Sequence, residues 1–301
     1  MTVSPSHPGA GQAFGMSTPL PPPRAAVVDA VSRALAEDLE PLGDVTSALL
    51  PTDLVATARF VARTPGVIAG CDCVTETYAQ VDPSVVLEWS VGDGDVVIAG
   101  TVLATVHGPL PSLLTGERTA LNFLGHLSGI ATVTASFVAA ARDGGDAYVW
   151  DTRKTTPGLR ALEKAAVRAG GGRNHRGNLS DWILLKDNHI ALYGIADAVA
   201  RARSMWPAKT VHVECDTIDQ VRDALAAGAD ALLPDNMTPA QVAECVRLAG
   251  GASKRPLLEA SGGITLTTIA DYSAAGVDCI SVGGLTNSAP VLDIGLDMDP
   301  A

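Results

Sequence analysis

The second half of the chain repeats one unit, and that repeat limits the possible folds more than any other feature. Strand-like apolar runs end at Trp150, Leu185, Val213, Leu233, Leu258 and Val282. Most are followed by a few polar or glycine residues and then by a helical pattern, as in 217–229 after the third run and 238–251 after the fourth. Strands alternating with amphipathic helices imply parallel pairing with the helices as crossovers. Six such units close more naturally as a barrel than as an open sheet. The strand C-terminal ends of a β/α barrel open on one rim, and working residues sit on the loops there. In this chain those ends read Asp151-Thr152-Arg153-Lys154, Lys186-Asp187-Asn188-His189, Glu214-Cys215-Asp216, Asp235-Asn236, Glu259-Ala260-Ser261-Gly262-Gly263 and Gly283-Gly284. Every one is polar or glycine-rich, which marks the rim as a site.

Upstream the texture differs. Residues 24–39 place Val27, Val28, Val31, Leu35 and Leu39 at helical spacing. From Val55 to Val106 the chain breaks into short β-type runs (58–62, 85–91 and 96–98), the last beyond the turn Gly92-Asp93-Gly94-Asp95. A long helix is predicted over 117–142, with Leu121, Leu124, Leu127 and Ile130 on adjoining faces. The expected organisation is a Pro/Gly/Ser-rich disordered leader at 1–23 and an N-terminal α/β open-sandwich domain with a linking helix at 24–142. A β/α barrel of about six strands follows at 143–288, and a C-terminal segment returning to the N-terminal domain at 289–301.

The net charge of −12 argues against nucleic acid or a membrane surface as partner, because both are polyanions. No run approaches the roughly 20 consecutive apolar residues of a membrane helix, and the first residues lack the basic start and apolar core of a signal peptide. The five cysteines are scattered and form no CxxC pair, so they read as buried thiols in a reducing, cytoplasmic compartment. Against this acidic total the cations are concentrated: eight of the 21 Lys and Arg lie between Arg153 and Lys186.

Arg153, Lys154, His175, Arg176 and Lys186 stand at strand ends or beside glycines, where they can meet an anionic ligand. Arg160, Lys164 and Arg168 recur at helical intervals and read as a solvated helix surface. Glu214 and Asp235 end consecutive strands and so share a neighbourhood. Such a pair suits Mg²⁺ shared with substrate phosphates, sugar hydroxyls, or an oxocarbenium-like charge; simple pairing with Lys154 and Lys186 is the plainer alternative. Ser261, Gly262 and Gly263, with Gly283 and Gly284, let backbone N–H groups approach a phosphate on the final strands. No GxGxxG, P-loop, HExxH or GxSxG pattern is present.

With these residues placed, the chain closely resembles the quinolinate phosphoribosyltransferases, also called carboxylating nicotinate-nucleotide pyrophosphorylases. The matching stretches are GERTALN (116–122), DTRKTTPGLR (151–160), GGGRNHRGNLSD (170–181), LLKDNHI (184–190), VECDT (213–217), PDNM (234–237), EASGGI (259–264) and SVGGLT (281–286). They run in family order from about Ala25 to Asp297. The resemblance implies a type II phosphoribosyltransferase fold. It also implies transfer of phosphoribose from phosphoribosyl pyrophosphate to quinolinate with decarboxylation, giving nicotinate mononucleotide, CO2 and pyrophosphate for NAD synthesis. It makes Arg118, Arg153, His175, Arg176 and Lys186 quinolinate binders, and Lys154 a contact to phosphoribosyl pyrophosphate. Glu214 and Asp235 then serve ribose hydroxyls and Mg²⁺, and Ser261, Gly262, Gly263, Gly283 and Gly284 cradle the 5-phosphate. It further implies a homodimer, or a higher oligomer, in which Arg118 enters the neighbouring site.

Three positions depart from the family pattern. His212 stands where an acid is common, Pro234 where leucine is usual, and Asn287 where histidine is usual. Pro234 removes a donor inside a parallel strand, a change able to shift Asp235. Two other readings are a paralogue acting on a different anionic ligand and a catalytically silent phosphate-binding protein; intact Lys154, Glu214 and Asp235 speak against the second.

Overall fold

The structure is a computed structural model that describes residues 20–298. Residues 1–19 and 299–301, which hold most of the expected leader and the end of the expected C-terminal segment, lie outside the described residues.

Helix α1 (Arg24–Leu39) matches the predicted span, and Val27, Ala30, Val31 and Leu35 are buried along one stripe. Then come β1 (Val55–Ala62), β2 (Gly66–Val67), α2 (Cys71–Val81), β3 (Val86–Trp89), β4 (Val96–Val97) and β5 (Val102–Pro109). Helix α2 stands where the sequence reads as wholly β. Its threonines and valines favour strands, but burial of Cys73, Val74, Thr77 and Tyr78 on one face overrides that propensity.

Helix α3 (Leu110–Gly144) begins before the predicted start at 117, with Pro111 in its first turn, where a missing N–H costs nothing. By length and composition alone it could cross a membrane. Here its apolar residues are buried instead: Leu113, Leu121 and Leu124 in the core of the N-terminal sheet, and Phe123, Leu127, Ile130 and Ala131 in the core of the barrel. A Cβ on Gly129 would fall 2.1 Å from the Pro290 carbonyl oxygen, so only glycine lets the returning chain pass this closely.

The barrel alternates β6 (Tyr148–Trp150), α4 (Arg160–Ala169), β7 (Ile183–Leu185), α5 (Asp187–Met205, broken at Gly194), β8 (Val211–Cys215), α6 (Ile218–Ala226), β9 (Ala231–Pro234), α7 (Pro239–Gly250), β10 (Leu257–Ala260), α8 (Ile269–Ala274), β11 (Cys279–Ser281) and α9 (Gly284–Asn287). Helices α6 and α7 each start on a capping box, Thr217 with Gln220 and Thr238 with Gln241. The six strands are parallel in the order β6-β11-β10-β9-β8-β7. The two end strands, β6 and β7, are bridged by side chains: Trp150 and Trp182 lie 6.3 Å apart with His175 edge-on to both rings. Finally β12 (Ile294–Met298) pairs antiparallel with β1, giving the N-terminal sheet the order β12-β1-β5-β3.

Candidate active site

The strand ends bring both classes of charge to one rim. Lys186, just past β7, donates from Nζ to Oε2 of Glu214 on β8. Asp235 follows β9, and its N–H donates to the Cys215 carbonyl at 3.0 Å. Pro234 leaves the strand-end pairing around Asp235 intact. Pro234 stays in register with Cys215, and its carbonyl accepts from the Ser261 N–H at 3.2 Å. Strand-end pairing holds Asp235 without the missing donor. Gly262 has φ 94°, and a Cβ there would lie 2.4 Å from the Asn236 side chain, so β9 and β10 meet only with glycine at this turn. Lys154 lies against Gly283, whose added Cβ would sit 3.0 Å from the lysine Cδ. The Thr286 hydroxyl donates to the Lys154 carbonyl at 2.8 Å, which ties the first rim loop to α9.

Behind the rim lies a buried strut that the sequence did not show. Asp151 is fully buried and accepts from Lys164 Nζ, from Asn174 Nδ2 at 2.7 Å and from the His175 N–H at 2.8 Å. Lys164 also donates to the His175 carbonyl at 3.0 Å. Burial pushes the Asp151 carboxyl up and the Lys164 ammonium down, against the attraction of the pair. The helix-surface reading of Arg160, Lys164 and Arg168 is therefore corrected. Lys164 is 6% exposed. Arg160 donates to the Gly177 carbonyl at 3.0 Å, and Arg168 to Asn174. Helical spacing shows that these cations share a face of α4; it cannot show that the face turns inward.

The arginines expected to meet substrate are built differently. Neither Arg153 nor Arg176 makes an ion pair among the described residues, and Arg153 Nε is buried without a partner. Arg176 is buried, and desolvation, then the Arg153 charge, pulls its pKa down. The Glu259, Asp181 and Glu214 carboxylates attract Arg176 without forming an ion pair with it, so both guanidiniums remain able to take an anion. His175 is buried with Nε2 3.4 Å from Oε1 of Glu259 on β10. Arg118 is exposed on α3 and makes no ion pair among the described residues, so the structure does not join it to the rim of its own barrel. Asp151 and Glu259 lie inside two of the quoted stretches, DTRKTTPGLR and EASGGI, yet no local pattern there signals their partners. Among the described residues no group of three or more His, Cys, Asp or Glu could hold a metal.

A parallel β/α ring with unpaired guanidiniums, a lysine on a glycine turn and two rim carboxylates defines an enzyme for small polyanionic substrates. Residues 44–128 match the family described as quinolinate phosphoribosyl transferase, N-terminal domain, and residues 130–297 match its C-terminal domain. The chain belongs to the quinolinate phosphoribosyltransferase family. It is 45% identical over 275 residues to the nicotinate-nucleotide pyrophosphorylase [carboxylating] of Mycobacterium leprae, covering 90% of this chain and 96% of that protein. It is 38% identical over 287 residues to the quinolinate phosphoribosyltransferase [decarboxylating] 2b, mitochondrial, of Nicotiana tabacum, covering 88% and 80%. The solved nicotinate-nucleotide pyrophosphorylase of Francisella tularensis superposes with a TM-score of 0.88 at 37% identity, covering 92% of this chain and 97% of that one.

Proposed function

We infer that this chain transfers phosphoribose from phosphoribosyl pyrophosphate to quinolinate with loss of CO2, forming nicotinate mononucleotide for NAD synthesis. One observation supports this reading most strongly. Arg153 and Arg176 make no ion pair among the described residues and so suit a dicarboxylate, while Lys154 lies against Gly283, where it suits a phosphate. Arg153, His175, Arg176 and Lys186 hold quinolinate. Lys154 contacts phosphoribosyl pyrophosphate, and Ser261, Gly262, Gly263, Gly283 and Gly284 cradle its 5-phosphate.

Departure of pyrophosphate builds positive charge on the ribose, which Glu214 and Asp235 stabilise from the rim. The pyridine nitrogen attacks the anomeric carbon; the quaternised nitrogen then stabilises the electron pair left on C2 as CO2 departs, and a proton from water completes nicotinate mononucleotide. Guanidiniums clamped on that carboxylate would oppose its loss, so Arg153 and Arg176 bind the retained 3-carboxylate. Glu214 and Asp235, which accept from Lys186 and Asn236, supply only oxygen donors, the set Mg²⁺ takes with one or two carboxylates and substrate phosphates, and so would form a partial site completed by substrate. Mg²⁺ bound there would neutralise the leaving pyrophosphate.

The working unit is a homodimer, or a higher oligomer, in which Arg118 completes the neighbouring site; its exposure without an ion partner favours this. All five cysteines are free, in keeping with a reducing cytoplasm. Steady-state kinetics of single variants test the division of the rim. Arg153→Ala and Arg176→Ala are expected to raise the KM for quinolinate, and Lys154→Ala that for phosphoribosyl pyrophosphate; the reverse pattern would reject the assignment.

A further inference from the structure

Below the rim, the barrel interior holds buried polar groups that the binding assignments leave without a role. Glu259 is 1% exposed. Its Oε1 accepts from the Ser281 hydroxyl on β11 and lies 3.4 Å from His175 Nε2, while its Oε2 is buried with no hydrogen-bond partner. A buried carboxylate with half of its acceptor capacity unused is a poor choice for stability alone. A half-satisfied buried acid calls for another explanation.

The ring that Glu259 faces supplies one. A carboxylate oxygen only accepts, so Oε1 at 3.4 Å favours the tautomer with a hydrogen on His175 Nε2. Nδ1 is then the nitrogen left for a ligand, and it donates to an anion only when the ring is charged. The ring is also confined sideways, edge-on to Trp182 at 4.9 Å and to Trp150 at 5.8 Å. Trp182 in turn stacks on His212 at 5.0 Å with the planes 18° apart. The backbone of the same residue is fixed by Asp151 and Lys164. His175 is thus clamped at both ends, with the Glu259 carboxylate 3.4 Å from Nε2 at the ring end.

We propose that Glu259, anchored by Ser281, is a positioning residue for quinolinate. It fixes the tautomer and tilt of His175 and balances the imidazolium that meets a substrate carboxylate. Glu259 does not touch substrate; its effect passes chiefly through the ring, beside a longer-range attraction for Arg176. The proposal rests on the assignment of His175 to quinolinate made above.

Wild type, His175→Asn, Glu259→Gln and the double variant are compared for kcat and for the KM of each substrate. Glu259→Gln keeps the shape but loses the charge, and its amide can donate as well as accept, so it no longer enforces one tautomer. Loss of a charge-assisted contact of this kind is expected to raise the quinolinate KM by about tenfold. The KM for phosphoribosyl pyrophosphate stays within about twofold. The double variant is no worse than His175→Asn, because an effect carried by the ring vanishes with it. Nitrogen chemical shifts of the His175 ring show Nε2 protonated in wild type and a mixture in Glu259→Gln. Ser281→Ala moves the same readouts by less and serves if Glu259→Gln folds poorly. If His175→Asn leaves the quinolinate KM unchanged, the assignment of His175 fails and takes the proposal with it. If His175→Asn raises that KM but Glu259→Gln raises neither KM or both alike, or the two losses multiply, Glu259 is structural and the proposal alone is overturned.

Discussion

Lys186 and Glu214 are ion-paired across the ends of two adjacent barrel strands, so the lysine proposed to bind quinolinate and the glutamate proposed to serve the ribose hold each other. The lysine is about half exposed and the glutamate mostly buried, which makes Lys186 the mobile partner. On the proposed assignment quinolinate draws Lys186 away, and that frees Glu214 for the ribose. Glu214→Gln is expected to lower kcat by about a hundredfold, the scale of losing one group that stabilises developing charge. The quinolinate KM should change far less. A Glu214→Gln enzyme with normal kcat and a raised quinolinate KM would place Glu214 with the binding groups instead.

The strut behind the rim makes a prediction about stability. Removing one partner of a buried pair leaves the other charge uncompensated, so Lys164→Met should destabilise the fold by about 3–5 kcal/mol. Adding Asp151→Asn to that variant should recover part of the loss, since the stranded charge is then gone. Urea unfolding of the two variants measures both numbers.

His212 gives the pH dependence. Burial pushes its pKa down from 6.5 to about 4. The unfolded chain therefore binds a proton that the folded chain refuses between those values, and stability falls as pH drops from about 6.5 to about 4. Integrated over that window, the loss attributable to this residue is on the order of 3 kcal/mol. The acid sensitivity of wild type minus that of His212→Gln, from unfolding midpoints at several pH values, isolates it. Equal slopes in the two proteins would contradict the buried, neutral histidine.

Arg118 predicts complementation. An Arg118→Ala chain and a Lys186→Ala chain, each inactive alone, should regain activity when unfolded and refolded together, because a mixed dimer contains one site with both side chains intact. Absence of rescue, with mixed dimers shown to form, would rule out the shared site.

Much of this was legible in the sequence, for identifiable physical reasons. The ends of α1 follow from Pro23 before it and Glu40-Pro41 after it, and the repeat of runs and helices gave the parallel strands. The rim residues were legible because strand ends of such a fold share one face. Helix α2 was not, because its threonines and valines speak for strand while packing on α3 decides otherwise. Nor was the direction of Lys164, since periodicity defines a face but not what covers it. The meeting of Ser281 with Glu259 depends on the register in which Glu259 pairs with Cys279, which no local pattern encodes.

The central claim concerns the reaction, and release of radiolabelled CO2 from quinolinate labelled in its 2-carboxylate tests it most directly. The account predicts release that requires both phosphoribosyl pyrophosphate and Mg²⁺, with nicotinate mononucleotide formed in equal amount. No release when both are supplied, or release that does not need phosphoribosyl pyrophosphate, would contradict it.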